Sequence, residues 1–459
     1  MSAQSPFDLL QTFLHRNPYV KYIRYTFIDY AAISRSRYHT VARALAAASA
    51  LPEKTGSVST YSLVSWAETV WGAWVEDPGE AGYEDHWVPD YTTIHVIPGK
   101  PEQAMVLCNI KSADKPSVDW YNYCPRSILR NVVAKTAEKH DLKFQVGFEV
   151  EFMLLPDPKA EGPVDPQPGF YPTAPLRKEH SKVLFDIVDA LQAGGVGVWG
   201  FQPEDSWSQF EISLYPSDPL QAVDTLVFAI EAIRTIAAKE GYHVTLHPYP
   251  FEGGSTVGRH INVSACRASE QEEGAAHDER RYNDHFLAGL LKHMRPLSAF
   301  ILAGYASWGG ERETQNGRRA IFYGKHKCAP IRLTGASEDE KRWELRKPDC
   351  LGNPYLQIAA IITAGIQGVK DQLPLNQKLG PCVPNAPLSD EIRREIGITE
   401  DLPRDLEEAI RCLKAQKELF TDWMGEACLR AYIKNKEMEI KVAGGLTSKE
   451  RIVKIVAHI

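Results

Sequence analysis

The 459-residue sequence lacks several patterns that mark broad classes of protein. Its eight cysteines are scattered without a C-x-x-C pair, so the sequence indicates neither a zinc cluster nor a disulfide framework and fits a reducing compartment. The N-terminus has no charged start followed by an apolar run, and no apolar stretch is long enough and free enough of glycine to cross a bilayer. These absences predict a cytoplasmic protein with no membrane partner.

The sequence also has fewer basic than acidic residues. Lysine and arginine number 52 against 59 acidic residues, and no basic run occurs, which argues against a general nucleic-acid-binding protein. With 44% hydrophobic and 24% charged residues the composition is that of an ordinary globular protein, so a sizeable core is expected. We therefore expect small molecules as partners.

The chain is long enough for two domains. Short apolar runs alternate with turn-rich stretches up to about residue 121, which predicts a small β-rich domain over 1–121 and a larger domain over 122–459. In the larger part, strands and helices alternate. One helix is predicted to be capped by Ser217 and to end at Gly241, and LPRDLEEAIRCLKAQKELF predicts helix near the C-terminus.

The glycines of GVGVWG satisfy G-x-G-x-x-G but do not indicate a dinucleotide site. They follow a predicted helix and lead into a predicted strand, which is the reverse of the order that a dinucleotide-binding turn requires. We interpret them as a helix end and a strand entry.

Two glutamates stand out in the stretch VGFEVEFML. Glu149 and Glu151 lie two residues apart among apolar residues, which is typical of a strand with one apolar face and one acidic face. Either the acidic face points to water, or something compensates two carboxylates that repel each other and lose hydration on burial.

Three further segments repeat this alternation of apolar and polar residues. The polar positions are Gln209 and Glu211 in SQFEISL, His260 and Asn262 in GRHINVS, and Arg342, Glu344 and Arg346 in RWELRKPD. Glu204 lies seven residues before Glu211, across a turn-like DSW. Acids, histidine, glutamine and arginine replace the serine, threonine and lysine of a solvated face.

If these faces line one cavity, they bring together Glu149, Glu151, Glu204, Glu211, His260 and Glu344. Five carboxylates cannot share a dry pocket without neutralisation, and many oxygens with one imidazole suit two Mg²⁺ or Mn²⁺ ions. Arg332, Arg346 and Lys327 would then bind anions, as phosphoryl transfer from a nucleotide requires. Taken singly, His260 also fits a hydrogen-bonded core histidine, and Glu344 a salt-bridge partner of Arg342 or Arg346.

The order of these motifs, ending in RWELRKPDCLGNPYLQIAAI, resembles the glutamine synthetase superfamily over essentially the whole chain. The resemblance implies an α+β protein with an N-terminal β-grasp domain and a catalytic α/β domain built on a curved antiparallel sheet. It also implies an ATP-dependent carboxylate–amine ligase that acts through an acyl phosphate on glutamate and ammonia or a related acid and amine. A ring-shaped homo-oligomer with active sites between subunits is implied as well.

The resemblance assigns roles by position. One catalytic metal would be held by Glu151, Glu204 and Glu211, and the second by Glu149, His260 and Glu344. Arg332 matches an arginine that contacts nucleotide phosphates, and Arg346 one near the phosphoryl group in transfer. Lys327 stands where the family has an arginine, so the charge is kept and the bidentate fork is lost.

The departures from the family fall at the substrate end. The family's Asn-Ser-Tyr-Lys-Arg-Leu string, whose arginine holds the amino acid, is replaced by YASWGGERETQ, which leaves Arg312 or Arg259 as candidates. The Asp-Gly-Ser-Ser string linked to the ammonium site is missing near TYSLVSWAETV, and Asn262 replaces a second histidine.

These departures predict another carboxylate or a bulkier, aromatic amine, with Trp66, Trp207 and Trp308 near the altered site. The alternatives are a catalytically weak homologue with a binding or regulatory role, and other phosphoryl-transfer chemistry.

Overall fold

The computed structural model describes residues 4–49, 58–60, 67–75, 85–112, 123–251, 254–268, 276–308, 319–335, 341–382 and 388–456. The strands in these ranges are β1 (Tyr22–Ile28), β2 (Ser34–Thr40), β3 (Val58–Thr60), β4 (Asp85–Pro89), β5 (His95–Ile97), β6 (Lys100–Ser112), β7 (Leu142–Leu155), β8 (Val198–Pro203), β9 (Gln209–Leu214), β10 (His243–Thr245), β11 (Arg259–Arg267), β12 (Tyr323–Gly324), β13 (Ile331–Thr334) and β14 (Arg342–Leu345).

The helices in the same ranges are α1 (Pro6–Arg16), α2 (Val41–Ala48), α3 (Pro125–His140), α4 (Lys182–Ala193), α5 (Pro219–Lys239), α6 (Ala276–Lys292), α7 (Met294–Ile301), α8 (Pro354–Lys370), α9 (Asp390–Ile396), α10 (Leu406–Ala415), α11 (Lys417–Met424), α12 (Glu426–Ala443) and α13 (Ser448–Val456). None of these helices combines the length and the apolar character that a bilayer span requires.

The first sheet is built from the N-terminal strands. Its order is β2-β1-β6-β4-β3, with β5 also paired to β6. The β1–β6 pair is parallel and the other pairs are antiparallel. Helices α1 and α2 lie against each other, and buried apolar residues such as Leu10, Tyr25 and Val106 form a core of their own. This is the predicted β-grasp arrangement.

The second sheet carries the polar faces that the sequence singles out. Its order is β12-β13-β14-β11-β7-β9-β8, and β10 pairs with the end of β7. All of its pairs are antiparallel except β12–β13. The predicted α+β fold with a curved antiparallel sheet is confirmed.

Strand β7 has two different faces. Alternate residues that are at most 2% exposed form the apolar face, namely Phe144, Val146, Phe148, Val150 and Phe152. This part of the sheet packs against α3 and α5. Because side chains alternate along a strand, Glu149 and Glu151 project from the opposite face. The core therefore fixes the direction in which both carboxylates point.

The helix ends differ from the sequence predictions in detail. The cap of α5 is Asp218, whose carboxylate accepts from the Leu220 N–H at 3.1 Å, so the prediction of Ser217 is wrong by one residue. Gly241 follows the helix with a φ of +85°, as expected of a helix end. The string LPRDLEEAIRCLKAQKELF forms two helices, which meet at Gln416.

The glycines of GVGVWG behave as predicted. Helix α4 ends at Ala193, Gly195 has a φ of +80°, and β8 begins at Val198. The segment is a helix end followed by a strand entry.

Arg126 joins the two sheets through a buried ion-pair network. This α3 side chain is 4% exposed and donates to Asp224 of α5 at 2.7 Å and to Asp90, between β4 and β5, at 2.9 Å. The Tyr355 hydroxyl of α8 donates to Asp224 at 2.7 Å. The first sheet is thereby tied to the helices behind the second. The boundary between 121 and 122 stays a prediction, since 113–122 lies outside the described residues.

Replacing Arg126 tests this network. Arg126→Ala leaves the half-buried carboxylates of Asp90 and Asp224 without this cation, so the free energy of unfolding should fall by about 3 kcal/mol. Lys21→Ala removes an exposed pair with Glu102 and is the matched control, expected to leave stability nearly unchanged. Urea titration of the three proteins measures the difference, and equal losses in both variants contradict the account.

Candidate metal and anion site

The register of the second sheet places acidic residues next to one another. Glu151 of β7 lies directly opposite Glu211 of β9, which in turn lies opposite Gln202 of β8. Glu149 lies opposite His260 of β11. Since directly paired residues, and residues two apart on one strand, project from the same face of a sheet, these side chains form one polar row that crosses the strands diagonally.

The same row continues on the other side of β11. Asn262 of β11 lies opposite Glu344 of β14, and Glu344 lies opposite Arg332 of β13. Acids, an imidazole, two amides and a guanidinium from six neighbouring strands therefore share one face. We call Glu149, Glu151, Glu204, Glu211, His260 and Glu344 the acidic cluster.

Two groups within the acidic cluster have metal-binding geometry. One ligand atom each of Glu149, His260 and Glu344 lies within 4.8 Å of the others, and the same holds for Glu151, Glu211 and His260. His260 belongs to both groups. Apart from the half-buried Glu149, all these residues are buried. The spacing is compatible with two neighbouring cations, one in each group, with the His260 imidazole between them.

Glu204 joins the cluster through an amide. Gln202 Nε2 donates at 3.1 Å to both Glu204 Oε1 and Glu211 Oε1. The family resemblance groups Glu204 with Glu151 and Glu211, and in the structure this bridge links Glu204 to the Glu211 end of the row. Gln202 was not singled out, although it lies two residues before Glu204 in the same alternation.

His260 is surrounded by carboxylates. Its Nδ1 lies 3.2 Å from Glu149 Oε2 and 3.8 Å from Glu344 Oε1, and its Nε2 lies 3.8 Å from Glu151 Oε1. Burial lowers the pKa of His260, but the hydrogen bond to Glu149 and the nearby carboxylates outweigh it, so the pKa is raised. An isolated core histidine would not have these neighbours.

The carboxylates have opposite pKa shifts. Burial, followed by repulsion from Glu149, Glu151 and Glu204, raises the pKa of Glu211 to about 8. Burial also raises the pKa of Glu204, with Glu151 contributing. At Glu149 burial acts in the same direction, but the hydrogen bond from His260, supported by Asn262, lowers the pKa to about 2. Among the described residues, burial and the neighbouring carboxylates therefore outweigh the nearby positive charges at the Glu211 end.

The loop before β11 approaches the cluster closely. The Gly258 N–H donates to Glu151 Oε2 at 2.8 Å, and a Cβ at Gly258 would lie only 2.9 Å from His260 Nε2. Gln209 Nε2 donates to Glu151 Oε2 at 3.1 Å and to the Thr256 carbonyl at 2.8 Å. These contacts orient Glu151, and the absence of a side chain at Gly258 leaves room beside the ligand atoms.

Both predicted arginines contact Glu344. Arg332 Nη1 lies 2.8 Å from Glu344 Oε2, and Arg346 Nη1 contacts Glu344 Oε1. Arg342 instead donates to Asn262 Oδ1 at 3.2 Å. Arg346 Nε also donates to the Lys327 carbonyl at 3.1 Å. Two guanidinium groups therefore lie at the Glu344 end of the row.

Lys327 lies at the exposed edge of the site. Its ammonium group donates to the Tyr171 hydroxyl at 2.6 Å and lies 5.8 Å from the centre of the Phe170 ring. Its positive charge acts to lower the pKa of Glu204. Phe170 and Tyr171 are 62% and 48% exposed, respectively. This aromatic pair had no sequence signal, because its position beside Lys327 depends on a contact across 156 residues.

Two residues predicted near the substrate have structural roles. Arg259 is 1% exposed and donates to the Gly352 carbonyl at 2.9 Å and to Gln357, so the prediction that it reaches into the site is wrong. Trp308 donates to the Leu302 carbonyl at 3.0 Å and packs against the core.

The other residues predicted near the substrate have different outcomes. Trp207 is half-buried, and Lys178 Nζ lies 5.8 Å from its ring centre. Trp66 and Arg312 lie outside the described residues.

The chain is similar in sequence to several named proteins. Protein fluG of Emericella nidulans is 29% identical over an alignment of 466 positions, which covers 98% of this chain and 50% of that protein, so the chain spans half its length. The glutamine synthetase of Methanocaldococcus jannaschii is 27% identical over an alignment of 445 positions, which covers 92% of this chain and 91% of that protein. The gamma-glutamylpolyamine synthetase GlnA3 of Streptomyces coelicolor is 30% identical over an alignment of 273 positions, which covers 56% of this chain and 57% of that protein.

The solved structures agree in fold. GmaS in complex with ADP has a TM-score of 0.77 at 24% identity, covering 96% of this chain and 98% of that one. The family model described as glutamine synthetase, catalytic domain, matches residues 122–450, which include every residue of the acidic cluster. The chain therefore belongs to the glutamine synthetase family.

Proposed function

We propose that the protein is an ATP-dependent ligase that joins a carboxylate to an amine through an acyl phosphate. The observation that carries this proposal is the pair of ligand groups that meet at His260, with Arg332 and Arg346 at their Glu344 end. Cations beside guanidinium groups stabilise the charge of a phosphoryl group in transfer. A binding protein without this chemistry has no need for the combination.

The donor set fits two Mg²⁺ or Mn²⁺ ions. Glu149, His260 and Glu344 would hold one ion. Glu151 and Glu211 would hold the other, together with Glu204, which shares the Gln202 amide with Glu211. Carboxylate oxygens with one imidazole suit these metals. When bound, the ions would neutralise the phosphate oxygens of ATP.

The residues of the chain have separable roles in this reaction. Glu344 is shared between Arg332 and Arg346, so ligation of a cation by Glu344 leaves both guanidinium groups available for phosphate oxygens. The substrate carboxylate oxygen attacks the γ-phosphorus and ADP leaves. The amine nitrogen then attacks the acyl carbon and phosphate leaves. Lys327, at the exposed edge, would contact the phosphate groups as a point charge.

The amine is the less defined substrate. Similarity to proteins named glutamine synthetase and to one named gamma-glutamylpolyamine synthetase does not favour ammonia over an organic amine. The exposed rings of Phe170 and Tyr171 beside Lys327 offer an aromatic surface that ammonia would not use. We propose a bulkier amine, a carboxylate other than glutamate, or both, and a ring-shaped homo-oligomer with sites between subunits.

The second candidate is a catalytically weak homologue with a binding or regulatory role. It is favoured by the departures at the substrate end of the sequence. The presence of all six residues of the acidic cluster, five in the two ligand groups and Glu204 linked to them through Gln202, argues for the ligase, because a protein that no longer bound metal would have no use for that much clustered negative charge.

Removal of single carboxylates tests the metal assignment. Glu151→Ala and Glu211→Ala each delete a ligand oxygen, so the affinity for Mn²⁺ measured by calorimetry should fall about 10-fold or more. Glu161→Ala is the control, because Glu161 is exposed and pairs with Lys449 away from the cluster. Unchanged Mn²⁺ affinity in both cluster variants contradicts the assignment.

The metal-free protein should show the cost of the buried charge. Glu211 has an ordinary pKa of 4.5 when unfolded and about 8 when folded, so the folded state binds more protons between these values and stability falls as pH rises. Glu211→Gln removes this pH-dependent contribution of Glu211 to stability. In EDTA, its gain in the free energy of unfolding over the wild type should be larger at pH 8 than at pH 5, by a few kcal/mol. The same gain at both pH values contradicts the account.

A phosphate-release screen with ATP and Mg²⁺ or Mn²⁺ tests the substrates. A panel of carboxylates is crossed with ammonium and a panel of amines, and glutamate with ammonium should be turned over poorly. Turnover of that pair near 10 per second, an ordinary enzymatic rate, would contradict the proposed change of substrate. Intact Mn²⁺ binding without phosphate release from any pair would favour the catalytically weak homologue.

A further inference from the structure

We propose that Cys328 and Cys382 form a reversible disulfide that links the oxidation state of the protein to its anion-binding edge. The sulfur atoms lie 3.8 Å apart although the residues are 54 positions apart in sequence. A disulfide bond is about 2.05 Å long, so the two atoms need to approach by roughly 1.8 Å. Cys382 is exposed and Cys328 is half-buried, which leaves the pair accessible to a small oxidant.

The backbone next to both cysteines is held in register. Gly324 and Gly380 form a parallel bridge, and the Gly380 N–H donates to the Tyr323 carbonyl at 2.8 Å. A Cβ at Gly380 would lie 2.3 Å from the Phe322 ring, so the two chain segments are as close as glycine permits. Cys382 follows this bridge by two residues and Cys328 follows it by four. Because both cysteines lie within four residues of this bridge, their thiols are held close together.

Cys328 also belongs to the loop that carries the anion-binding groups. It directly follows Lys327, whose carbonyl accepts from Arg346 Nε at 3.1 Å. The Pro330 carbonyl, two residues after Cys328, accepts from the Arg346 N–H at 3.0 Å. Movement of Cys328 would therefore shift Lys327 on one side and the Pro330 carbonyl, which contacts Arg346, on the other.

The reaction needs a disulfide oxidant such as oxidised glutathione. The exposed Cys382 thiolate attacks one sulfur of the oxidant, which forms a mixed disulfide and releases one glutathione thiolate. The Cys328 thiolate then attacks the Cys382 sulfur, which forms the intramolecular bond and releases the second glutathione. Two cysteine thiols are oxidised, one glutathione disulfide is reduced to two thiols, and the two cysteine protons pass to the released thiolates. Transient, sensing disulfides of this kind occur in reducing compartments.

The disulfide should weaken the binding of phosphate groups. It draws Cys328 towards Cys382 and fixes the loop whose contacts position Lys327 and Arg346, and these two side chains have to adjust when phosphates bind. Because a misplacement of about 1 Å near a reacting centre lowers rates strongly, we expect about 10-fold weaker ADP binding and a similar loss of turnover in the oxidised protein. The change in activity rests on the proposed function, whereas disulfide formation and ADP binding are measured without it.

The full-length protein, with Mn²⁺ present, is equilibrated in glutathione buffers of increasing oxidising strength. Peptide mapping by mass spectrometry should find a Cys328–Cys382 cross-link that dithiothreitol reverses. ADP affinity, measured by calorimetry, should fall with oxidation in the wild type and in Cys412→Ser, a control on α10 away from the pair. Cys382→Ser should keep its ADP affinity in every buffer.

Each other outcome counts against the proposal. Glutathione attached to Cys382 without a cross-link, or a cross-link between other cysteines, overturns the disulfide. A Cys328–Cys382 cross-link that leaves ADP affinity unchanged overturns the link to the anion-binding edge. If the cross-link forms and ADP affinity falls while no substrate pair releases phosphate, the disulfide stands and the ligase function fails.

Discussion

Five carboxylates around one imidazole are the constraint on which this structure depends. Strand β7 has to keep Phe148, Val150 and Phe152 in the core, so Glu149 and Glu151 are forced onto the face that β9, β11 and β14 also line with polar groups. Burial and neighbouring carboxylates raise the pKa of Glu211 to about 8, whereas at Glu149 hydrogen bonds from His260 and Asn262 outweigh burial and lower the pKa to about 2, so the two ends of the row differ in electrostatic compensation. Divalent cations would complete the compensation.

Pairing of the strands brings the alternating polar residues of each strand together in the acidic cluster. Each strand contributes residues with a period of two, and antiparallel pairing places Glu151 opposite Glu211, Glu149 opposite His260 and Arg332 opposite Glu344. A slip of one residue in any pair would move its polar groups into the core. The large apolar faces that pack on α3 and α5 oppose such a slip. Stability of the core and placement of the ligand atoms are thus parts of one arrangement.

Alternation along a strand is a local property, so it allowed most members of the acidic cluster to be predicted from the sequence, whereas the fold was predicted from the resemblance to a known family. It did not allow contacts between distant segments to be predicted. Alternation along β11 places Arg259 on the face opposite His260, but the acceptors of its guanidinium there, the Gly352 carbonyl and Gln357, come from a distant segment. Tyr171 beside Lys327 and Cys328 beside Cys382 depend on how loops return to the sheet, and no local pattern records that.

The most direct measurement of the central claim is the number of divalent ions that the wild-type chain binds. Mn²⁺ titrated into the EDTA-stripped, dialysed protein, with free ion followed by electron paramagnetic resonance, should give two ions per chain. The melting temperature should rise with occupancy, since ligands that bind the folded state stabilise it. Absence of binding at millimolar Mn²⁺, with an unchanged melting temperature, would contradict the account.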